Sequence, residues 1–298
     1  MSTNKKGLLM STYYYHCVKL PDLNGKNNPY LFSKNVIGIE FTVPHLLKFC
    51  DLGNVDHHEA DDTAETPSAC EQALYCDIPP KDSVFVTVYP DADAITAMAA
   101  LTSRAQGRRI DESIIKLVSD YDKYGPSAGD PADVLIAISR MSGNQDISMA
   151  ERVEWIQGVL EGQRDGDLIQ QLVGDHHEKY RQALEASDVR LVSDGRIAVV
   201  VSAHRYATRI GYKYAQILVC MNTRAPLDFK DPEKGSYVKF TICRYNSHVR
   251  CDLPAVLAEL QAIEPGWGGR ADIIGSPIGV SSELKLDDVL KTVESHLT

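Results

Sequence analysis

The stretch Ser83-Val-Phe-Val-Thr-Val-Tyr89 constrains this chain more than any other part of it. A continuous β-branched and aromatic run of this kind reads as a strand covered on both faces, the habit of a parallel sheet. Pro90 ends the run, Asp91 and Asp93 follow, and Ala94 to Arg104 is a small-residue helix able to pack close to a sheet. The unit is strand, carboxylate turn, helix. Ligands of open α/β sheets sit beyond the carboxyl ends of strands, which makes Asp91 and Asp93 candidates for catalysis and for holding a metal. Two aspartates on one turn repel each other unless a cation or hydrogen-bond donors offset the charge; Mn²⁺ or Mg²⁺ would do so with oxygen ligands. The same letters also suit a turn-forming Asp91 and a helix-capping Asp93.

The rest of the pattern extends this unit into an α/β protein of two domains, the default for a chain of 298 residues. A strand is expected over 35–43, a short helix over 45–50, and an acidic, turn-rich segment over 51–67. Helices follow at 111–119, 131–142, 148–162 and 167–186. A second alternation then begins. Val189 to Ser193 and Arg196 to Ser202 flank the hairpin signal Asp194-Gly195. A short helix near 204–211, a strand over 215–221, a polar loop over 222–236 and a strand over 237–243 come next. Helix 253–263, a glycine-rich loop at 264–270 and a helix from Leu286 complete the order. The expected domains are 1–164, with a mainly parallel sheet flanked by helices, and 188–298, smaller and with a mixed sheet. Residues 165–187 read as a helical connector.

Charge and cysteine use narrow the function classes. With 31 basic against 41 acidic residues the formal charge is −10, and no basic stripe is visible. Long nucleic acid gripped by its backbone is therefore not expected, and a small or short phosphate-bearing ligand is. The seven cysteines contain no C-x-x-C pair. They read neither as a disulfide framework nor as a zinc knuckle, and Cys220, Cys243 and Cys251 suit small buried hydrophobes. No apolar run approaches the ~18–20 residues of a bilayer span, and the start is too short for a signal peptide, so a cytoplasmic protein with no membrane partner is expected. The sequence leaves room for a homodimer.

Four further motifs could carry chemistry. Asp56-His57-His58, within 53–62, offers carboxylate and imidazole ligands suited to Mn²⁺, Fe²⁺ or Zn²⁺, or else is a solvated acidic loop. The same tripeptide recurs at Asp175-His176-His177 in a helical pattern, where ordinary surface histidines are expected. Asp120 and Asp122 end an apolar helical turn and could complete a two-metal carboxylate cluster, with Lys123 near substrate, or form a polar helix end. In 264–276, Gly268-Gly269-Arg270 could bring backbone N–H groups and a guanidinium to a phosphate, against a plain loop over Trp267. Arg205 and Arg244 are weaker candidates for the same positive wall.

Pro90-Asp-Ala-Asp-Ala-Ile-Thr-Ala97, Asp56-His57-His58 and the late Gly268-Gly269-Arg270 resemble the DHH superfamily of phosphoesterases, and 188–298 resembles its associated DHHA1 substrate domain. The resemblance implies hydrolysis of a phosphodiester or phosphoanhydride in a small nucleotide-type or short oligonucleotide substrate, at a cleft between domains, with one or two Mn²⁺ or Mg²⁺ ions. It would assign Asp91, Asp93 and His58 to catalysis. Asp91, Asp93, Asp56, His57, Asp120 and Asp122 would hold metal. Gly268, Gly269, Arg270, Arg244 and Arg205 would bind substrate. Two departures stand out. Thr87 occupies the position where typical members carry a histidine, and Asp-His-His precedes the Asp-x-Asp strand instead of following it. A nucleotide- or phosphate-binding protein of the same fold without hydrolysis is the alternative.

Overall fold

The computed structural model describes residues 13–18, 33–58, 66–125, 130–204, 206–228, 232–244, 250–269 and 272–297. The chain is α/β and divides into two compact units, Met1–Lys123 with Pro131–Val173, and Tyr124–Asp130 with Gly174–Thr298. No helix among the described residues is long and apolar enough to cross a membrane.

The first unit is built on strands β1 (Tyr14–Cys17), β2 (Val36–Ile39), β3 (Asn54–Val55) and β4 (Val84–Thr87), with helix α1 (Ala69–Gln72) between β3 and β4. The sheet order is β1-β4-β2-β3 and every pairing is parallel. All four strands therefore end at one edge. Ile37, Ile39 and Phe85 face a large apolar cluster, whereas Val36, Val84 and Val86 face a second one with Phe41 and Leu46. That two-sided cover is why β2 and β4 are wholly buried and read as unbroken apolar runs.

Helix α2 (Ala92–Ala105) is buried from Asp93 through Ser103, as a helix at the centre of a layer must be. Its alanines let it sit against the sheet and against the helices that follow, α3 (Glu112–Tyr124), α4 (Asp133–Ser142) and α5 (Met149–Leu160). Helix α5 opens with a complete capping box between Ser148 and Glu151. The division between the units falls within α6 (Gly166–Glu185).

The second unit carries β5 (Ser187–Val192), β6 (Ile197–Ser202), α7 (Ala207–Gly211), β7 (Ile217–Pro226), β8 (Ser236–Arg244), α8 (Leu253–Ile263), β9 (Gly268–Gly269), β10 (Ile273–Gly275) and α9 (Leu286–Ser295). Its sheet is mixed, in the order β5-β6-β7-β8-β10-β9, with β6 and β7 parallel and the other pairs antiparallel. Helices α8 and α9 supply Val256, Leu260, Val289 and Val293 to the core over Phe240 and Trp267.

Several elements differ from the sequence reading. The strand expected over 35–43 stops at Ile39, because Glu40 turns out of the strand with a positive φ of 47°. β1, β3, β9 and β10 are additional strands; β3 lies in the expected turn-rich segment 51–67 and β9 in the expected glycine-rich loop 264–270. β7 runs on to Pro226 through an irregularity between Asn222 and Ala225, so the expected polar loop is shorter.

Candidate metal centre

Three strand ends supply the site. β2 leads into Glu40, β3 into Asp56-His57-His58, and β4, by way of Pro90, into Asp91 and Asp93. Because β3, β2 and β4 are adjacent and parallel, these residues meet at the same edge of the sheet. Asp122 arrives from the last turns of α3. One ligand atom from each of Glu40, His57, Asp93 and Asp122 lies within 4.8 Å of all the others, and Glu40, His57 and His58 form a second such group.

His57 is the hub. Its Nε2 is 3.0 Å from Asp122 Oδ2, 3.2 Å from Glu40 Oε1 and 3.8 Å from Asp93 Oδ2. Yet His57 Nε2 and Glu40 Oε1 are buried without a hydrogen bond of acceptable angle. Short approach without hydrogen-bond geometry is what atoms aimed at a common point display. Three carboxylates and one imidazole also form a donor set able to hold a divalent metal ion. The residues fit such an ion.

The electrostatics point the same way. Burial drives the Glu40 carboxyl up to about 10, helped by the charges of Asp91, Asp93 and Asp122, although His57 opposes the shift. Burial likewise raises Asp91 to about 6, and it raises Asp93 together with the nearby Asp122 charge. Burial pulls His57 down, but Asp122 and Glu40 outweigh it and lift the imidazole to about 10. Without a cation, bound protons offset the crowded negative charge.

Asp93 is the most firmly held member. It is fully buried, and it accepts from Ser68 Oγ at 2.8 Å, Ala69 N at 2.7 Å and Cys70 N at 3.0 Å, all at the start of α1. The capping role falls to Asp91 and not to Asp93: Asp91 is the N-cap of α2 and accepts from Ala94 N at 3.0 Å. Asp91 remains electrostatically tied to Glu40 but is outside the converging set. Asp56 serves the turn. Its Oδ1 accepts from the backbone N–H groups of His57 and His58 and lies 2.8 Å from His58 Nδ1, while Oδ2 accepts from Asn54. Asp120 pairs with Lys116 one turn back and is outside the converging set. Lys123 pairs with Glu71 of α1, linking α3 to the helix that grips Asp93.

The remaining candidates stand elsewhere. Asp175, His176 and His177 lie on α6, outside both ligand groups. Gly268 and Gly269 form β9, an exposed edge strand paired with β10. Arg244 ends β8 and donates to Cys251 O at 3.1 Å. Arg205 and Arg270 lie outside the described residues. Thr87 closes a local turn: its hydroxyl donates to Tyr89 O at 3.2 Å and accepts from Tyr89 N at 3.3 Å.

Glu40 is the member that sequence reasoning missed. Its signal was present: a lone carboxylate closing the apolar run Val36-Ile-Gly-Ile39, as Asp91 and Asp93 follow β4. Reading the strand through to Val43 hid it.

No protein-family model and no curated protein matches the sequence. Among solved structures the chain is similar to a pGpG-specific phosphodiesterase, PggH from Vibrio cholerae, at 12% identity over 81% of this chain and 76% of that one, with a TM-score of 0.40.

Proposed function

We propose that this chain is a divergent DHH-type phosphoesterase that uses Mn²⁺ or Mg²⁺ to hydrolyse a small nucleotide-type or short oligonucleotide substrate. The observation that carries the reading is the convergence of Glu40, His57, Asp93 and Asp122 at the carboxyl edge of a parallel sheet, with Glu40 Oε1 and His57 Nε2 buried and without a hydrogen bond. The Pro-Asp-x-Asp run at the same edge adds the phosphoesterase character. A cation held there would polarise a phosphoryl oxygen and neutralise charge in the displacement.

The chain's own residues do the rest. The start of α1 fixes the Asp93 carboxylate in one orientation, so little reorganises when a cation enters. His58, held by Asp56 and with its side chain 26% exposed, would exchange a proton with substrate. Exposed Gly268 and Gly269, with Arg244 and Arg270, would hold a terminal phosphate.

The test uses protein stripped of metal with a chelator, titrated with Mn²⁺ by calorimetry and assayed on short oligonucleotides and a generic phosphodiester. Micromolar Mn²⁺ binding and Mn²⁺-dependent turnover are expected in the wild type, and both should disappear in His57→Ala/Asp93→Asn. Absence of Mn²⁺ binding in the stripped wild type would overturn the reading. Tight nucleotide binding without turnover would instead favour a binding protein, the outcome that Thr87 in place of a histidine suggests.

A further inference from the structure

Tyr89 stands immediately before Pro90-Asp91, yet its side chain is 71% exposed. Among the described residues its ring meets no other ring and its hydroxyl makes no hydrogen bond. The backbone beneath it is the opposite of loose. Thr87 Oγ1 bonds both the N–H and the carbonyl of Tyr89, and the same carbonyl accepts from Asp91 N at 3.0 Å. Two residues apart, the Tyr89 and Asp91 Cα atoms can be separated by no more than about 7 Å. A large, exposed aromatic side chain thus stands on a tied-down stretch of backbone, two residues from Asp91 and four from the cluster member Asp93.

On that reading of the site, we infer that Tyr89 is a stacking platform for a nucleobase of the substrate, and that Thr87 positions it. Aromatic faces bind bases without regard to sequence, because every base offers a π-face. The placement suits a substrate whose base lies next to the phosphate under attack, which favours nucleotide esters over inorganic phosphates. The departure at Thr87 then has a use of its own: the threonine secures the turn that presents the ring.

The experiment compares a 5′-phosphorylated deoxyadenosine dinucleotide with an analogue in which an abasic spacer replaces one nucleoside, both with Mn²⁺. The wild type should show a KM about tenfold lower for the dinucleotide. Tyr89→Ala should abolish that preference by raising the dinucleotide KM about tenfold, with kcat changed far less, whereas Tyr89→Phe and Tyr89→Trp should keep it. Mn²⁺ calorimetry on Tyr89→Ala should still show wild-type affinity, which locates the loss in base binding. A preference that survives in Tyr89→Ala overturns the stacking role and leaves the phosphoesterase reading standing. A wild type that neither binds nor cleaves either probe overturns both.

Discussion

Glu40 Oε1 lies 3.2 Å from His57 Nε2, both atoms buried, because β2 and β3 run side by side in parallel and end at the same edge. Glu40 sits in a backbone conformation that a glutamate seldom adopts, and strain of this kind gathers at functional sites.

Glu40→Gln keeps the shape of the side chain and removes one anionic ligand. Mn²⁺ affinity should fall at least about tenfold, or ~1.4 kcal/mol. A ligand at 100 times its Kd adds ~2.7 kcal/mol of stability by mass action, so a tenfold weaker site leaves about half of that. Calorimetry and thermal melts with and without Mn²⁺ check both numbers. A wild-type Mn²⁺ isotherm in Glu40→Gln would remove Glu40 from the ligand set.

Asp93→Ala tests a different property of the cluster. Burial first, and the Asp122 charge after it, raise the Asp93 pKa, so removing the carboxylate relieves a desolvation cost and a repulsion. Against that relief, two buried backbone N–H groups and the Ser68 hydroxyl lose their acceptor. An unsatisfied buried donor costs about 1–3 kcal/mol, so the lost hydrogen bonds prevail and the metal-free variant should be destabilised by about 3 kcal/mol. Urea denaturation of stripped protein measures it; a stabilised variant would mean that the relief dominates.

Gly38 faces the Asp-His-His turn from the neighbouring strand. A Cβ on Gly38 would lie 2.3 Å from Asn54 Oδ1 and 3.0 Å from Phe41 Cβ. Asn54 cannot simply swing away, since it accepts from Phe41 N and donates to Asp56. Gly38→Ala should therefore cost about 1–3 kcal/mol and also weaken Mn²⁺ binding, because the turn carrying His57 must shift. A melt and a Mn²⁺ titration on one preparation report both effects.

The parts of this design that the sequence displays are those written in side-chain chemistry next to a strong periodic signal. Val84 to Thr87 is buried and reads as an apolar strand, and Asp91 and Asp93 follow on the turn after Pro90. His57 and Asp122 likewise stand in motifs that draw notice. Helices α3 to α6 announce themselves by their apolar spacing. What the letters conceal is set by tertiary partners. β1 and β10 have only four and three residues and owe their existence to the strands they pair with, β4 and β8. Glu40 is a site residue only because the backbone turns at that point, and no local propensity of glutamate favours such a turn. Asp120 and Asp122 are equivalent as letters, and the helix rotation that gives Asp120 to Lys116 and Asp122 to His57 separates them.

Ser148→Ala is the stability control away from the cluster. It breaks the capping box of α5, in which Ser148 Oγ accepts from Glu151 N and the Glu151 carboxylate accepts from Ser148 N at 2.8 Å. A loss of about 1 kcal/mol with wild-type Mn²⁺ affinity is expected. A simultaneous loss of Mn²⁺ binding would show that metal affinity follows general stability, which would weaken the reading of the other variants.

Gly269→Ala separates the glycine strand from the metal cluster. Gly269 has φ of +147°, and a Cβ there would lie 2.2 Å from Ile273 O and 2.6 Å from Ile274 Cα. These are backbone atoms of the paired strand β10, so relief requires opening the β9–β10 pair. Trp267, buried beside β9 with its ring stacked 6.2 Å from Phe240, limits how far the opening can spread. The expected cost is about 2–3 kcal/mol in denaturant unfolding. If the Gly268 and Gly269 backbone holds a substrate phosphate, nucleotide affinity should fall at least about tenfold while Mn²⁺ affinity stays at the wild-type value. Calorimetric titrations of Mn²⁺, and of the dinucleotide in its presence, distinguish the two roles. Lower stability with undiminished nucleotide affinity would make the glycine pair a requirement of the β9–β10 hairpin alone.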